Sequence, residues 1–300
     1  MITFTKEIFA KYNLRASVVF HAGDGNLHPN IVFEEKNFFE QNLIKKAIKE
    51  LDNFVYSLQG TLSAEHGIAV QKRASMNLFL TKQTLSIFRE IKNAFDPKNI
   101  LNPDKVLPLC ENAKIFEPDY TKTLLLEVEK QKKKAQITFD ILKVLPPQIK
   151  VDLENCTLSV LANTPITDIN KALKNTNLFL PTTQNKGTIG EVFLETKSLL
   201  GFVTSLDFIC KEGTLLKLGN KAIKDACGYN LIDFLIGSLG AFGLPIKMNI
   251  HLLNYEPKKE IFNKNKDFIC TESLLKLKKI FDKNNYFNPK LFKSLLNEKN

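Results

Sequence analysis

The chain has 300 residues, 44% of them hydrophobic and 25% charged, an ordinary globular composition that argues against wholesale disorder and leaves room for two small domains or one large one. Net charge is +10, from 42 Lys and Arg against 32 Asp and Glu, but the excess is spread out, and the dense cluster from Lys130 to Lys134 reads as a solvated linker face rather than a nucleic-acid patch. Cys110, Cys156, Cys210, Cys227 and Cys270 are scattered without a C-x-x-C pair, apolar runs stop short of a membrane span, and Met1 to Tyr12 lacks a leader pattern; the expectation is a cytoplasmic protein with reduced thiols, no nucleic-acid partner and at most peripheral membrane association.

In chain order, Ala16 to Phe20 is apolar and β-branched, His21-Ala-Gly-Asp-Gly-Asn-Leu-His28 follows with a Gly-rich centre, and Asn30 to Phe33 resumes a strand pattern. This predicts a β-hairpin with a histidine on each side of its turn. Leu43, Ile44, Ala47, Ile48, Leu51, Phe54, Val55 and Leu58 then recur at helical spacing until Gly60, the expected helix stop. A second amphipathic helix carries Leu85, Phe88, Ile91 and Phe95 and ends at Asp96-Pro97, because proline disfavours helical geometry in the residue before it. Residues 109–150, with Lys and Glu clustered around Thr121 to Ala135 and Pro146-Pro147 near the end, are expected as a linker with room for one helix. Beyond it, Thr157 to Ala162, Phe202 to Cys210 and Thr214 to Leu218 read as strands, the last two forming a hairpin across Lys211-Glu212-Gly213. Phe95-Asp96 precedes Asn102-Pro103 at the same offset as Phe281-Asp282 precedes Asn288-Pro289, each after an amphipathic Lys-rich helix. The echo reads as two related domain ends joined by fusion, with convergent helix-stop chemistry as the alternative.

Imidazoles ligate metals at neutral pH, and His21 and His28 are the close histidine pair that the hairpin turn could bring together. Glu65, in Gly60-Thr-Leu-Ser-Ala-Glu-His-Gly67, offers a carboxylate as a third ligand beside His66, so three of the four histidines fall in two short segments. Spacing alone leaves two readings open: a metal centre, or turn histidines hydrogen-bonded to backbone, with Asp24 and Asn26 serving as turn residues.

His-Ala-Gly-Asp-Gly-Asn-Leu-His-Pro-Asn at 21–30, Gly-Thr-Leu-Ser-Ala-Glu-His-Gly at 60–67 and Phe-Asp-Pro-Lys-Asn-Ile-Leu-Asn-Pro at 95–103 resemble, in the same order, motifs of the C-terminal domain of FAD-linked oxidases. That family includes glycolate oxidase, D-lactate dehydrogenase and D-2-hydroxyglutarate dehydrogenase flavoproteins. The resemblance implies flavin-dependent oxidation of a small 2-hydroxy acid to the 2-oxo acid. It implies that His21, His28 and Glu65 hold a divalent, zinc-like metal acting as a Lewis acid, that His66 takes the hydroxyl proton, and that Asn30 helps hold the substrate, with FAD as the hydride acceptor.

From Val151 to Leu253, Thr188-Ile-Gly190, the strand pair around Asp207, Lys224-Asp-Ala-Cys-Gly-Tyr-Asn-Leu231 and Gly237-Ser-Leu-Gly-Ala-Phe-Gly243 look like the later part of a vanillyl-alcohol-oxidase-type FAD-binding domain. The likeness is closest to the small FAD-binding subunit of glycolate oxidase. It implies FAD contacts from Thr188, Gly190, Gly237, Ser238, Gly240 and Gly243, the glycines leaving backbone N–H groups free for the cofactor, and architectural roles for Lys224 and Tyr229; Asn102, in the 95–103 motif, is expected as a further cofactor contact.

The expected fold class is α+β: a ferredoxin-like cap-domain fragment at 1–108, a linker at 109–150, a partial vanillyl-alcohol-oxidase-type FAD-binding domain at 151–255, and a residual second cap with a closing helix at 256–300. Against the family pattern, the chain begins inside the cap, no glycine-rich pyrophosphate loop precedes Val151, and Glu191 stands where a glycine is usual. The early cap strands that supply basic residues for the substrate carboxylate are missing, with Arg15 and Arg73 as weak substitutes. The implied partners are other glycolate-oxidase-like subunits, including an iron-sulfur subunit. The competing reading is a non-catalytic or degenerate assembly subunit of such a complex.

Overall fold

A computed structural model describes residues 1–257 and 272–291. Cys270, and the parts of the expected closing segment at 258–271 and 292–300, lie outside the described residues. The fold mixes helices with antiparallel sheets and divides into two compact units. The first takes residues 1–79, 104–113 and 220–228; the second takes 80–103, 114–219 and the described residues from 229 on. Among the described residues, no helix is long and apolar enough to cross a membrane.

The first unit contains α1 (Ile2–Lys11), β1 (Arg15–His21), β2 (Asn26–Val32), α2 (Phe38–Ser57), α3 (Ala69–Lys72) and α4 (Met76–Phe79). Apolar residues at helical spacing put Ile8 and Phe9 of α1 against Ala47 and Leu51 of α2, and Phe4, Tyr12, Leu14, Val18 and Ile31 pack onto that cluster. The two strands pair antiparallel, with His21 opposite Asn26, Val19 opposite His28 and Ser17 opposite Asn30. Side chains alternate between the faces of a sheet, so with Val18 and Ile31 turned to the helices, His21, His28 and Asn30 share the opposite face. The turn predicted between the strands is therefore correct, and the alternation carries both imidazoles away from the core. At the end of α2, Gln59 takes the left-handed conformation at φ 58, one residue before the stop expected at Gly60. Gly60 is needed for another reason: a Cβ there would lie 3.0 Å from Val55 Cγ1 and 3.3 Å from the Val55 carbonyl oxygen.

The second unit is built on a five-stranded antiparallel sheet of β3 (Ile149–Asp152), β4 (Thr157–Leu161), β5 (Val203–Cys210), β6 (Thr214–Gly219) and β7 (Leu244–His251), in the order β3-β4-β7-β5-β6. Around it run α5 (Lys82–Phe95), α6 (Thr121–Lys132), α7 (Ile166–Leu173), α8 (Ile189–Glu195), α9 (Leu231–Leu235) and α10 (Glu272–Phe281). The expected β5–β6 hairpin forms, its turn made possible by left-handed backbone at Lys211, Glu212 and Gly213. β5 is buried along its whole length, and its Asp207 is satisfied by the Tyr120 hydroxyl at 2.5 Å and the Lys217 ammonium at 2.9 Å.

The segment 109–150, expected as a linker with room for one helix, carries α6 and a 3-10 turn, each with a few buried residues. α6 buries Leu124 and Val128, four residues apart on one face, and the 3-10 turn Phe139–Val144 buries Ile141 and Leu142. The flanking Lys and Glu residues masked that stripe in the composition.

The internal echo extends to hydrogen bonding. Asp96, just past α5, accepts from the N–H groups of Ile100 and Leu101, both at 2.9 Å, and pairs with Lys92. Asp282, just past α10, accepts from Tyr286 at 2.9 Å and Phe287 at 2.8 Å, and pairs with Lys278 at 2.5 Å. Asn99 and Asn102 have φ 49 and 45, and Asn285 and Asn288 at the same offsets have φ 55 and 43. The two loops thus share a carboxylate cap and left-handed asparagines at the same offsets.

Candidate metal centre

The hairpin supplies two imidazoles and the chain after α2 supplies a carboxylate. Residues 60–68 form no regular element but are pinned by the buried Leu62, Ser63 and Ile68. Glu65 Oε1 lies 3.2 Å from His28 Nε2, 3.5 Å from His21 Nε2 and 3.8 Å from His66 Nε2. The His21 and His28 rings meet edge to face at 5.2 Å, as do His28 and His66 at 5.3 Å. One ligand atom from each of His21, His28 and Glu65 falls within 4.8 Å of the others. Two imidazole lone pairs and a carboxylate oxygen aimed at one point repel unless a cation or protons sit among them, so this donor set fits a divalent ion. Two nitrogens and one oxygen leave further coordination positions open, as metal-assisted chemistry requires. His28 is the most enclosed of the four, and Asn26 Nδ2 lies 3.4 Å from its Nε2. His66 is exposed, and Asn30 stands on the same hairpin face as His28.

A strap from the second half of the chain joins this unit at residues 220–228. The Lys221 N–H donates to the Gln59 carbonyl at 3.0 Å and the Ala226 N–H to the Ser63 carbonyl at 2.8 Å. Asp225 accepts from the Thr61 hydroxyl at 2.6 Å, the Cys227 N–H at 2.9 Å and the Asn220 amide at 2.8 Å. Between these anchors, Lys224 Nζ reaches Asp24 Oδ2 at 2.6 Å and Glu65 Oε2 at 3.6 Å. The hydrogen bond from Lys224 holds the Asp24 carboxyl below the usual carboxylate range, and the same bond raises the Lys224 ammonium above its ordinary value. Sequence reasoning assigned Asp24 to a turn and Lys224 to architecture. The contact joins residues far apart in sequence, so no local signal pointed to it.

Of the residues expected to contact FAD, Thr188, Gly190 and Gly237 make hydrogen bonds within the protein. The Thr188 side chain caps α8, and its N–H donates to Glu191 at 2.7 Å in a reciprocal capping box, which also accounts for Glu191. The Gly190 and Gly237 N–H groups donate to the carbonyls of Ala162 and Phe193, both at 2.8 Å. A Cβ at Gly190 would meet Phe139 at 2.3 Å, and one at Gly243 would meet the Ile209 carbonyl oxygen at 2.1 Å. Close packing thus explains these glycines, and the N–H groups of Gly190 and Gly237 are not free for a cofactor. Ser238 is buried with its hydroxyl unpartnered, while Gly240 and Asn102 lie in left-handed turns. Arg15 pairs with Glu40 at 3.7 Å, Arg73 donates to the Asp104 carbonyl, and Tyr229 packs edge-on against Phe88.

Residues 1–106 match the family described as FAD linked oxidases, C-terminal domain. Over 106 residues the chain is 36% identical to the glycolate oxidase subunit GlcD of Bacillus subtilis, covering 35% of this chain and 23% of that protein. It is 36% identical over 117 residues to the mitochondrial D-lactate dehydrogenase (cytochrome) of Kluyveromyces lactis, covering 37% and 19%. It is 41% identical over 88 residues to the mitochondrial D-2-hydroxyglutarate dehydrogenase of Arabidopsis thaliana, covering 29% and 15%. The chain therefore spans less than a quarter of the length of these relatives.

Proposed function

We propose that the FAD linked oxidase C-terminal domain in residues 1–106 serves flavin-dependent oxidation of a small 2-hydroxy acid, of the glycolate or D-lactate type, to the 2-oxo acid. The observation that carries this reading is the convergence of His21, His28 and Glu65 within 4.8 Å, with His66 beside them. His21 Nε2, His28 Nε2 and Glu65 Oε1 would hold a divalent, zinc-like ion, which when bound polarises the substrate hydroxyl and carboxylate oxygens. His66 accepts the hydroxyl proton at an exposed imidazole nitrogen, and Asn30 orients the substrate from the hairpin face. The hydride would go to FAD, which carries the redox chemistry. We do not assign the flavin to the glycine positions of the second unit, whose N–H groups at Gly190 and Gly237 are already donated. In this reading residues 1–108 are a fragment of a ferredoxin-like cap, 151–255 a partial vanillyl-alcohol-oxidase-type domain, and the protein works beside other glycolate-oxidase-like subunits, including an iron-sulfur subunit.

Those donated N–H groups favour a second reading, an assembly subunit that keeps the metal centre without turning over substrate. One experiment separates the two. Metal content and flavin reduction by glycolate or D-lactate are measured for the wild type, His28→Ala and His66→Ala, with FAD and companion subunits supplied. An oxidase loses metal and turnover in His28→Ala, and turnover alone in His66→Ala. A wild type that holds metal but never reduces flavin is an assembly subunit, and metal retained in full by His28→Ala refutes the ligand set.

A further inference from the structure

A 2-hydroxy acid carries its hydroxyl and carboxylate oxygens on adjacent carbons. A site that grips the hydroxyl with a metal therefore gains from a second cation a few ångströms away for the carboxylate. Arg15 and Arg73 are engaged elsewhere, with Glu40 and the Asp104 carbonyl. Lys224 reaches the cluster, 3.6 Å from the Glu65 oxygen that faces away from the imidazoles.

We propose that Lys224 binds the substrate carboxylate at this centre, a role that rests on the metal and 2-hydroxy-acid reading above. Three features carry it. The backbone on both sides of Lys224 is fixed to the Glu65 segment, through Lys221 to Gln59 and Ala226 to Ser63, so the stem is held in register with the ligands. The side chain is 45% exposed, so the ammonium can exchange partners. Its present partners, Asp24 and Glu65, are both carboxylates, the same chemical group the substrate would present. An ammonium has no lone pair for a metal, so Lys224 complements the ligand set without joining it. Substrate binding replaces the long contact to Glu65 Oε2 with one to the incoming carboxylate, while Asp24 keeps the ammonium charged and in place. The site then selects small hydroxy carboxylates over neutral alcohols and hydroxy amides, because only the carboxylate satisfies both the ion and Lys224.

The test uses the full chain, zinc, and oxalate as an unreactive probe with paired oxygens on adjacent carbons. Zinc is titrated calorimetrically first, and oxalate is then titrated into the zinc-loaded protein. Lys224→Met and Lys224→Gln should bind zinc as the wild type does and oxalate about tenfold more weakly, the loss of one charge-assisted contact. Lys224→Arg should stay within about threefold of wild type. Equal oxalate affinity in the wild type and both neutral variants, with zinc bound, overturns the carboxylate role and leaves the metal centre standing. Loss of zinc from folded Lys224→Met and Lys224→Gln also overturns it, making Lys224 a support for Glu65. A wild type that binds no zinc refutes the metal reading and this inference together.

Discussion

Glu65 is the residue on which the site turns, since one oxygen faces three imidazoles and the other faces Lys224. The segment that carries it is tied to the strap, where Asp225 gathers Thr61, Asn220 and the Cys227 N–H. Removing a group that orients a ligand commonly costs about 10- to 100-fold in metal affinity. Asp225→Ala is therefore expected to weaken zinc binding by at least about tenfold while leaving all three ligands in place, as read by competition with a fluorescent chelator. Affinity unchanged from wild type would mean that residues 60–68 hold Glu65 unaided. That His21, His28, Glu65 and His66 gather at one place was legible in the sequence because two motifs presented them; the approach of Lys224 was not, because its partners lie in distant elements.

At the scale of elements, the two helix-ending loops make a matched experiment. Asp282 is fully buried with Lys278, whereas the Asp96 side chain retains slight exposure beside Lys92. Asp282→Ala breaks an ion pair more deeply buried than that of Asp96, and breaking a buried pair by removing one partner typically costs about 3–5 kcal/mol, so denaturant melts should show a larger loss than for Asp96→Ala. The hydrogen bond from Lys92, with those from Ile100 and Leu101, holds Asp96 below the usual carboxylate range. A depressed carboxylate contributes stability that is present above its unfolded value of about 4 and is lost as pH falls through its folded value. Asp96→Asn should therefore be less stable than wild type at neutral pH, with the gap closing below about pH 4 in melts run across that range. A gap that does not close would place the effect in geometry rather than charge.

Across the whole molecule, the first unit rests on a small buried cluster around Ile8, Phe9, Ala47 and Leu51, whereas the second surrounds a five-stranded sheet with β5 wholly enclosed. Phe9→Ala should cost about 3–5 kcal/mol, and its amide exchange should speed up in α1, α2 and the hairpin while β5 and β7 stay protected. Uniform acceleration across both units would show that they unfold as one. The sequence by itself determined the hairpin turn, the helix stop at Asp96, the β5–β6 pair, the histidine–carboxylate set and the echo at Asp282, because turn chemistry, side-chain periodicity and motif order act over a few residues. Only the tertiary structure decided that α6 and the 3-10 turn within residues 109–150 bury apolar side chains, that the glycines at 190 and 243 answer to neighbouring backbone and rings, and that Lys224 meets Glu65. Such contacts join residues far apart in the chain, as Thr61 and Asp225 do, and they form only when whole elements bury their apolar faces and bring distant polar groups within reach.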